Sequence, residues 1–127
     1  MTAIVLDSSA VLAVIWEEAG ADQVSAVMRE AFLSTVNLTE VVQKLVDQPT
    51  DDATVAAVLK TMSFTIEPFE RADAIQAGLL RRATKSRGLS LGDRACLALG
   101  KRLGVPVYTA DRAWAELDLG VEVVLIR

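Results

Sequence analysis

Short apolar runs alternate with stretches whose apolar residues recur at helical spacing, and this alternation constrains the chain more than any other feature. Residues 2–6 read as a first strand, ending at Asp7. Ser8 or Ser9 then caps a short helix through Trp16, and residues 20–30 form a helix with Val24, Val27 and Met28 on one face. Residues 31–35 read as a second strand. The helix over 37–48 places Leu38, Val41, Val42 and Leu45 at the i, i+3, i+4 and i+7 positions. A further helix over 50–62, capped by Thr50, leads to a third strand at 64–67 that Pro68 stops. Residues 70–85 are helical and Gly88 ends them. Ser90 caps a helix over 91–103, which Gly104 stops. A fourth strand at 105–108, a helical turn or two at 111–117 and a fifth strand at 121–126 complete the chain.

Strands separated by helices pair in parallel, because each return to the same edge needs a crossover. Nearly continuous apolar strands imply helices on both faces of the sheet. The expected class is α/β, and 127 residues without a linker or repeat suit one domain over the whole chain. In such open sheets the site lies at the carboxyl ends of the strands, near the point where strand order reverses.

The inventory of reactive side chains narrows the chemistry. There is no His, and the one Cys is Cys96. Ser-His-Asp and Cys-His catalysis, zinc sites built on His or several Cys, and an internal disulfide are thereby excluded. A lone thiol suits a reducing cytoplasm. Carboxylates must carry any chemistry, and they favour hard ions such as Mg²⁺ or Mn²⁺. The longest charge-free runs, residues 8–16 and 31–39, are about half of the ~18–20 residues a membrane span needs. Neither a membrane segment nor an export signal is expected.

Four acids occupy suggestive places. Asp7 ends the first strand, and Asp111 lies just past the fourth, in Tyr108-Thr109-Ala110-Asp111. Glu40 enters on the helix after the second strand, and Asp93 on the first turn of the helix before the fourth. Four carboxylates brought to one end of a sheet repel one another, and a divalent cation is the natural counter-charge. Each acid also has a local explanation. Asn37-x-x-Glu40 and Ser90-x-x-Asp93 both match capping boxes, Glu40 can pair with Lys44, and acids are common in turns.

Net charge is −4, but it is unevenly spread. The stretch 81–112 carries +6 through Arg81, Arg82, Lys85, Arg87, Arg94, Lys101, Arg102 and Arg112, and the remainder carries −10. A basic stretch on an acidic protein is either a solvated face or a seat for a phosphate backbone. Trp16 and Trp114 read as packing residues, and Cys96 as buried and inert. Apolar residues over 10–16 and 41–46 exceed what one small core buries, which suggests a partner.

Asp7-Ser8-Ser9-Ala10, Asn37-Leu38-Thr39-Glu40-Val41, Gly88-Leu89-Ser90-Leu91-Gly92-Asp93 and Thr109-Ala110-Asp111-Arg112 resemble, in order, the four motifs of PIN-domain ribonucleases. Size and spacing are most similar to the VapC toxins of bacterial toxin–antitoxin pairs, over essentially the whole chain. The resemblance implies a parallel sheet in order 3-2-1-4-5 and an Mg²⁺- or Mn²⁺-dependent endoribonuclease. It places Asp7, Glu40, Asp93 and Asp111 at the acidic positions, with Ser9, Thr109 and Asn37 as polar neighbours. It implies an RNA substrate, a cognate antitoxin and a homodimer.

With no His, the general base is metal-bound water or a carboxylate, so the expected reaction is in-line attack by metal-bound hydroxide on a phosphodiester. Asp7 and Asp93 are the expected direct ligands, with Asp111 and Glu40 holding a second ion or orienting water. Arg81, Arg82, Lys85, Arg87, Arg94 and Arg112 would hold flanking phosphates. Arg94 stands where many relatives have a small residue, and either contacts a phosphate or folds away.

A haloacid-dehalogenase phosphatase would need an acid where Ser9 stands, and a receiver domain an acceptor Asp where Pro68-Phe69 follows the third strand. The remaining alternative is a degenerate PIN-like fold that serves only as an interaction module.

Overall fold

The computed structural model describes residues 3–127; Thr2, at the start of the expected first strand, lies outside the described residues. Strands β1 (Ile4–Leu6), β2 (Ala31–Ser34), β3 (Thr65–Glu67), β4 (Val107–Thr109) and β5 (Val123–Leu125) form one sheet in the order β3-β2-β1-β4-β5. Every neighbouring pair is parallel, and β1 pairs Val5 with Phe32 of β2 and with Val107 of β4. Strand order reverses at β1, so the β1–β4 boundary is where a site is expected.

Helices α1 (Ser8–Ile15), α2 (Ala21–Val27), α3 (Thr35–Val46) and α4 (Asp52–Lys60) follow β1 and β2. Helices α5 (Arg71–Leu79), α6 (Arg81–Thr84) and α7 (Leu91–Leu103) lie between β3 and β4. The alternation of side chains along β1 splits the interior into two cores. Ile4 and Leu6 pack with Val11, Val24, Leu33, Val41 and Val55 against α1 to α4. Val5 turns the other way and packs with Val107, Ala77, Leu97, Leu99 and Trp114 against α5 and α7. Fully burying one such Leu or Val is worth roughly 1.5–3 kcal/mol, and this two-sided burial holds the three-residue β1 in a single register.

Several boundaries differ from the sequence expectation, and each difference has a local cause. α3 starts at Thr35 because the Ser34 hydroxyl accepts from the N–H of Val36 at 3.2 Å. Asn37 therefore sits inside the helix, and the Asn37–Glu40 capping box does not form. The cap position of α1 is Asp7, whose carboxylate makes no capping bond, so Ser8 and Ser9 both lie in the first turn. α4 is capped by Asp51, which accepts from Thr54 N–H at 2.8 Å, rather than by Thr50. The expected helix over 70–85 breaks at Leu80 into α5 and α6, and a 3₁₀ turn, Lys85–Arg87, follows. The Ser90–Asp93 capping box is present, and Gly104 ends α7 in the left-handed conformation at φ 67°. Trp114 is fully buried as a packing residue, whereas Trp16 is 40% exposed at the end of α1. Among the described residues no helix is long and apolar enough to cross a membrane.

Candidate active site

Asp7 follows β1 directly, and its N–H extends the ladder to the carbonyl of Tyr108 at 2.9 Å. Its side chain is only 4% exposed. Oδ2 accepts from Ser9 Oγ at 2.6 Å and from Thr109 Oγ1 at 2.9 Å. The same two hydroxyls accept from the backbone of the β4 loop. Ala110 N–H donates to Ser9 Oγ at 3.0 Å, and Asp111 N–H donates to Thr109 Oγ1 at 3.0 Å. Small hydroxyl side chains thus fasten the end of β1 to the end of β4, at the boundary where strand order reverses.

Glu40 reaches the same edge from α3. Its Oε1 accepts from Ser8 Oγ at 2.5 Å and from Asn37 Nδ2 at 2.9 Å. Asn37 is fully buried, and Nδ2 also approaches Ser8 Oγ and the carbonyl of Gly92, each at 3.1 Å. The Glu40 carboxyl lies against Gly92, where a Cβ would overlap Oε1, Oε2 and Cδ. Asp93 follows on α7, half-buried, with Oδ2 accepting from Ser90 N–H at 2.9 Å. Asp111 is exposed and caps the 3₁₀ turn Arg112–Glu116 through a bond from Ala113 N–H at 3.0 Å.

Electrostatics joins these side chains. Burial, with the charges of Asp93 and Glu40 adding to it, pushes Asp7 from 3.8 up to about 6, against the Ser9 and Thr109 hydrogen bonds that lower it. Burial also raises Asp93, and the charges of Glu40 and Asp111 push it the same way. Buried just behind the acids on α7, Cys96 is fully enclosed, and burial lifts its thiol well above the usual range. That thiol is inert at neutral pH.

Among the described residues, none of the four acids is in an ion pair. No three of them stand close enough together, as placed, to close on one ion. Each carboxylate rests instead on neutral hydroxyl or amide donors of its own. The donor set nevertheless fits a hard divalent cation: every group is an oxygen, and buried Asp7 has no cationic partner. Asp7 and Asp93 are the residues that would hold it, within reach of the charge of Glu40.

The basic residues divide into two groups. Arg81, Arg82, Lys85 and Arg112 are exposed and, among the described residues, make no ion pair. Arg87 pairs with Glu116, which ties the basic stretch to the segment after Asp111. Arg94 folds inward and donates to the carbonyl of Ala77 on α5 at 2.9 Å. Arg102 is held by Asp73 at 2.7 Å and by Glu67 at 3.1 Å. Two residues of the acidic edge escape sequence reasoning. In the sequence Ser8 reads as a helix cap within the first motif, and Gly92 only as part of the third, because their contact with Glu40 is made through space.

Comparison with solved structures finds the same fold in toxin–antitoxin complexes. A DNA-bound VapBC from Salmonella typhimurium is 16% identical, with a TM-score of 0.78 and all of both chains covered. Mycobacterium tuberculosis VapC20, a sarcin-ricin loop cleaving toxin, is 19% identical at a TM-score of 0.74, covering 94% of this chain and 99% of that one. VapBC-5 from the same organism is 22% identical at 0.69, covering 98% and 99%. No curated protein sequence gives a significant match. The sequence model of the PIN domain matches residues 4–119, nearly the full length, and the chain belongs to the PIN-domain family.

Proposed function

We propose that the protein is a divalent-metal-dependent endoribonuclease, the VapC-type toxin of a toxin–antitoxin pair, acting in the cytoplasm on RNA. The observation that carries the reading is Asp7: a buried carboxylate at the β1–β4 boundary, raised to about 6, that feels the charges of Asp93 and Glu40 and, among the described residues, pairs with no Lys or Arg. An interaction module has no use for such a group, because a buried, uncompensated charge weakens the fold. The similar solved chains support the finer assignment, since two come from VapBC structures and a third is a toxin that cleaves the sarcin-ricin loop.

In this reading Asp7 and Asp93 hold the ion, and Glu40 and Asp111 complete its surroundings or orient water. A bound Mg²⁺ or Mn²⁺ would polarise the phosphoryl oxygens and acidify a water for in-line attack. Ser9 and Thr109 fix the Asp7 carboxylate, which favours its charged form at neutral pH despite burial. Arg81, Arg82, Lys85 and Arg112, exposed and without an ion pair among the described residues, are the proposed contacts to flanking phosphates, while Arg94, turned onto α5, serves packing. The antitoxin and a second copy of the chain are the proposed protein partners, and the exposed Trp16 and Val46 belong to the apolar surface they would cover.

The test is RNA cleavage by the purified chain with Mn²⁺ and with a chelator, beside co-purification with the product of the neighbouring gene. Cleavage that needs the metal and stops on antitoxin binding supports the reading. A chain that binds its partner but leaves RNA intact at every metal concentration is an interaction module.

A further inference from the structure

Glu40 belongs to α3, yet groups on α1 and α7 help decide where its carboxylate lies. Ser8, the first residue of α1, and Asn37 both donate to the same oxygen, Oε1, at 2.5 and 2.9 Å. Asn37 also reaches the carbonyl of Gly92 on α7 at 3.1 Å. Gly92 leaves the space in which the carboxyl group rests, since any Cβ there would overlap three atoms of Glu40.

Neither Asn37 nor Gly92 is the choice that stability alone would make. Asn37 is fully buried, and among the described residues its Oδ1 has no donor. A buried acceptor left unpaired disfavours the fold, and an apolar side chain of similar shape would avoid that penalty. Gly92 lies within α7, where glycine gives up more backbone freedom than alanine. Two locally unfavourable choices therefore converge on one carboxylate, the pattern expected where function overrides stability.

We propose that Ser8, Asn37 and Gly92 are positioning residues that seat the Glu40 carboxylate toward Asp7 and Asp93, and so set the affinity for a cation that they do not themselves ligate. The proposal rests on the metal-dependent reading and deepens it. Ser8 and Asn37 fix Oε1 by direct hydrogen bonds, and Gly92 fixes the plane against which the group lies.

The test is calorimetric titration of the full chain with Mn²⁺ alone, with the metal-free melting midpoint measured on the same preparations. The variants are Ser8→Ala, Asn37→Leu and Gly92→Ala, with Glu40→Gln as reference. Each seat variant is expected to lose about 10–100-fold in Mn²⁺ affinity, the usual effect of removing an outer partner of a ligand. Gly92→Ala should add nothing further in the Glu40→Gln background. The metal-free midpoint of Gly92→Ala should stay at or above wild type, whereas Asn37→Leu also takes a donor from the Gly92 carbonyl and is judged by its Mn²⁺ affinity. Lower midpoints with unchanged Mn²⁺ affinity would reduce these residues to structural ones and overturn the proposal. If Glu40→Gln weakens Mn²⁺ binding and the seat variants do not, the seat fails while the metal site stands. If Glu40→Gln binds as wild type does, the seat fails while the Asp7 and Asp93 site stands; if wild type itself binds no Mn²⁺, the seat and the metal reading fail together. Should Asn37→Leu not fold, Gly92→Ala still decides, because it displaces the carboxylate while leaving the Ser8 and Asn37 side chains in place.

Discussion

Thr109, the last residue of β4, donates its hydroxyl to Oδ2 of Asp7 across 2.9 Å and accepts the N–H of Asp111 at 3.0 Å. One side chain, itself fully buried, thus supports one acid and orients the loop that carries another. Thr109→Val keeps the shape and removes both bonds. A loss of roughly 1–3 kcal/mol is expected at pH 7, the penalty of leaving buried polar groups unpaired. Because the Thr109 bond lowers Asp7, its removal should also raise Asp7 further, and the acid limb of the pH–rate profile should move upward. Chemical denaturation and a pH–rate series check the two effects separately.

Asp7 makes metal-free stability depend on pH in a direction opposite to that of an ion-paired acid. Its folded value, about 6, lies above the ordinary 3.8, so the fold holds the proton more tightly than the unfolded chain does. Its contribution is fully present below about pH 4 and is lost as pH rises through about 6. The difference corresponds to roughly 3 kcal/mol. Asp7→Asn should therefore be more stable than wild type at pH 7 in chelator, and the gap should close toward pH 4. Melting curves at both pH values give the answer.

Metal binding should reverse that penalty. Mn²⁺ at about 100 times its dissociation constant stabilises a fold by ~2.7 kcal/mol, or roughly 5–15 °C for a domain of this size. The shift should vanish in the Asp7→Asn, Asp93→Asn double variant. It should also weaken below about pH 6 in wild type, because the proton on Asp7 competes with the ion. Differential scanning fluorimetry with and without Mn²⁺ measures both.

Phosphate contacts are expected from exposed arginines and lysines without carboxylate partners. Neutralising Arg81, Arg82 and Lys85 together should flatten the salt dependence of RNA binding. Each cation that no longer neutralises a phosphate of a single strand should lower the log–log slope by about 0.7. Arg94→Gln should leave that slope unchanged and lower the melting midpoint, since its guanidinium is spent on the Ala77 carbonyl. A filter-binding salt series separates them.

Much of the fold is legible because each strand is an apolar run bounded by a turn or cap signal, and the Ser90–Asp93 box appears where the sequence motif places it. The strand order follows from family resemblance, and the sheet has that order. The start of α3 is not legible. Ser34 ends a strand and caps a helix at once, so an apolar pattern cannot show which residue turns the corner. For the acids, sequence order places Asp7 and Asp111 after their strands, and packing then supplies what order lacks. The approach of Glu40 to Gly92 spans 52 positions, and Arg94 turns onto α5 although its neighbour Asp93 faces the acids. Trp16 reads as core because its helix is apolar throughout, which hides where the buried face stops.

The central claim is that Asp7 works as part of a metal-dependent nuclease site. Its most direct test is the rate of RNA cleavage by Asp7→Asn against wild type at saturating Mn²⁺ and pH 7.5, with circular dichroism confirming the same fold. An amide keeps the shape and the hydroxyl contacts while removing the ligand charge. The expected result is a folded variant, more stable than wild type in chelator, whose rate falls at least about 100-fold, some 2.7 kcal/mol of transition-state stabilisation. A folded variant that keeps more than about a tenth of the wild-type rate would contradict it.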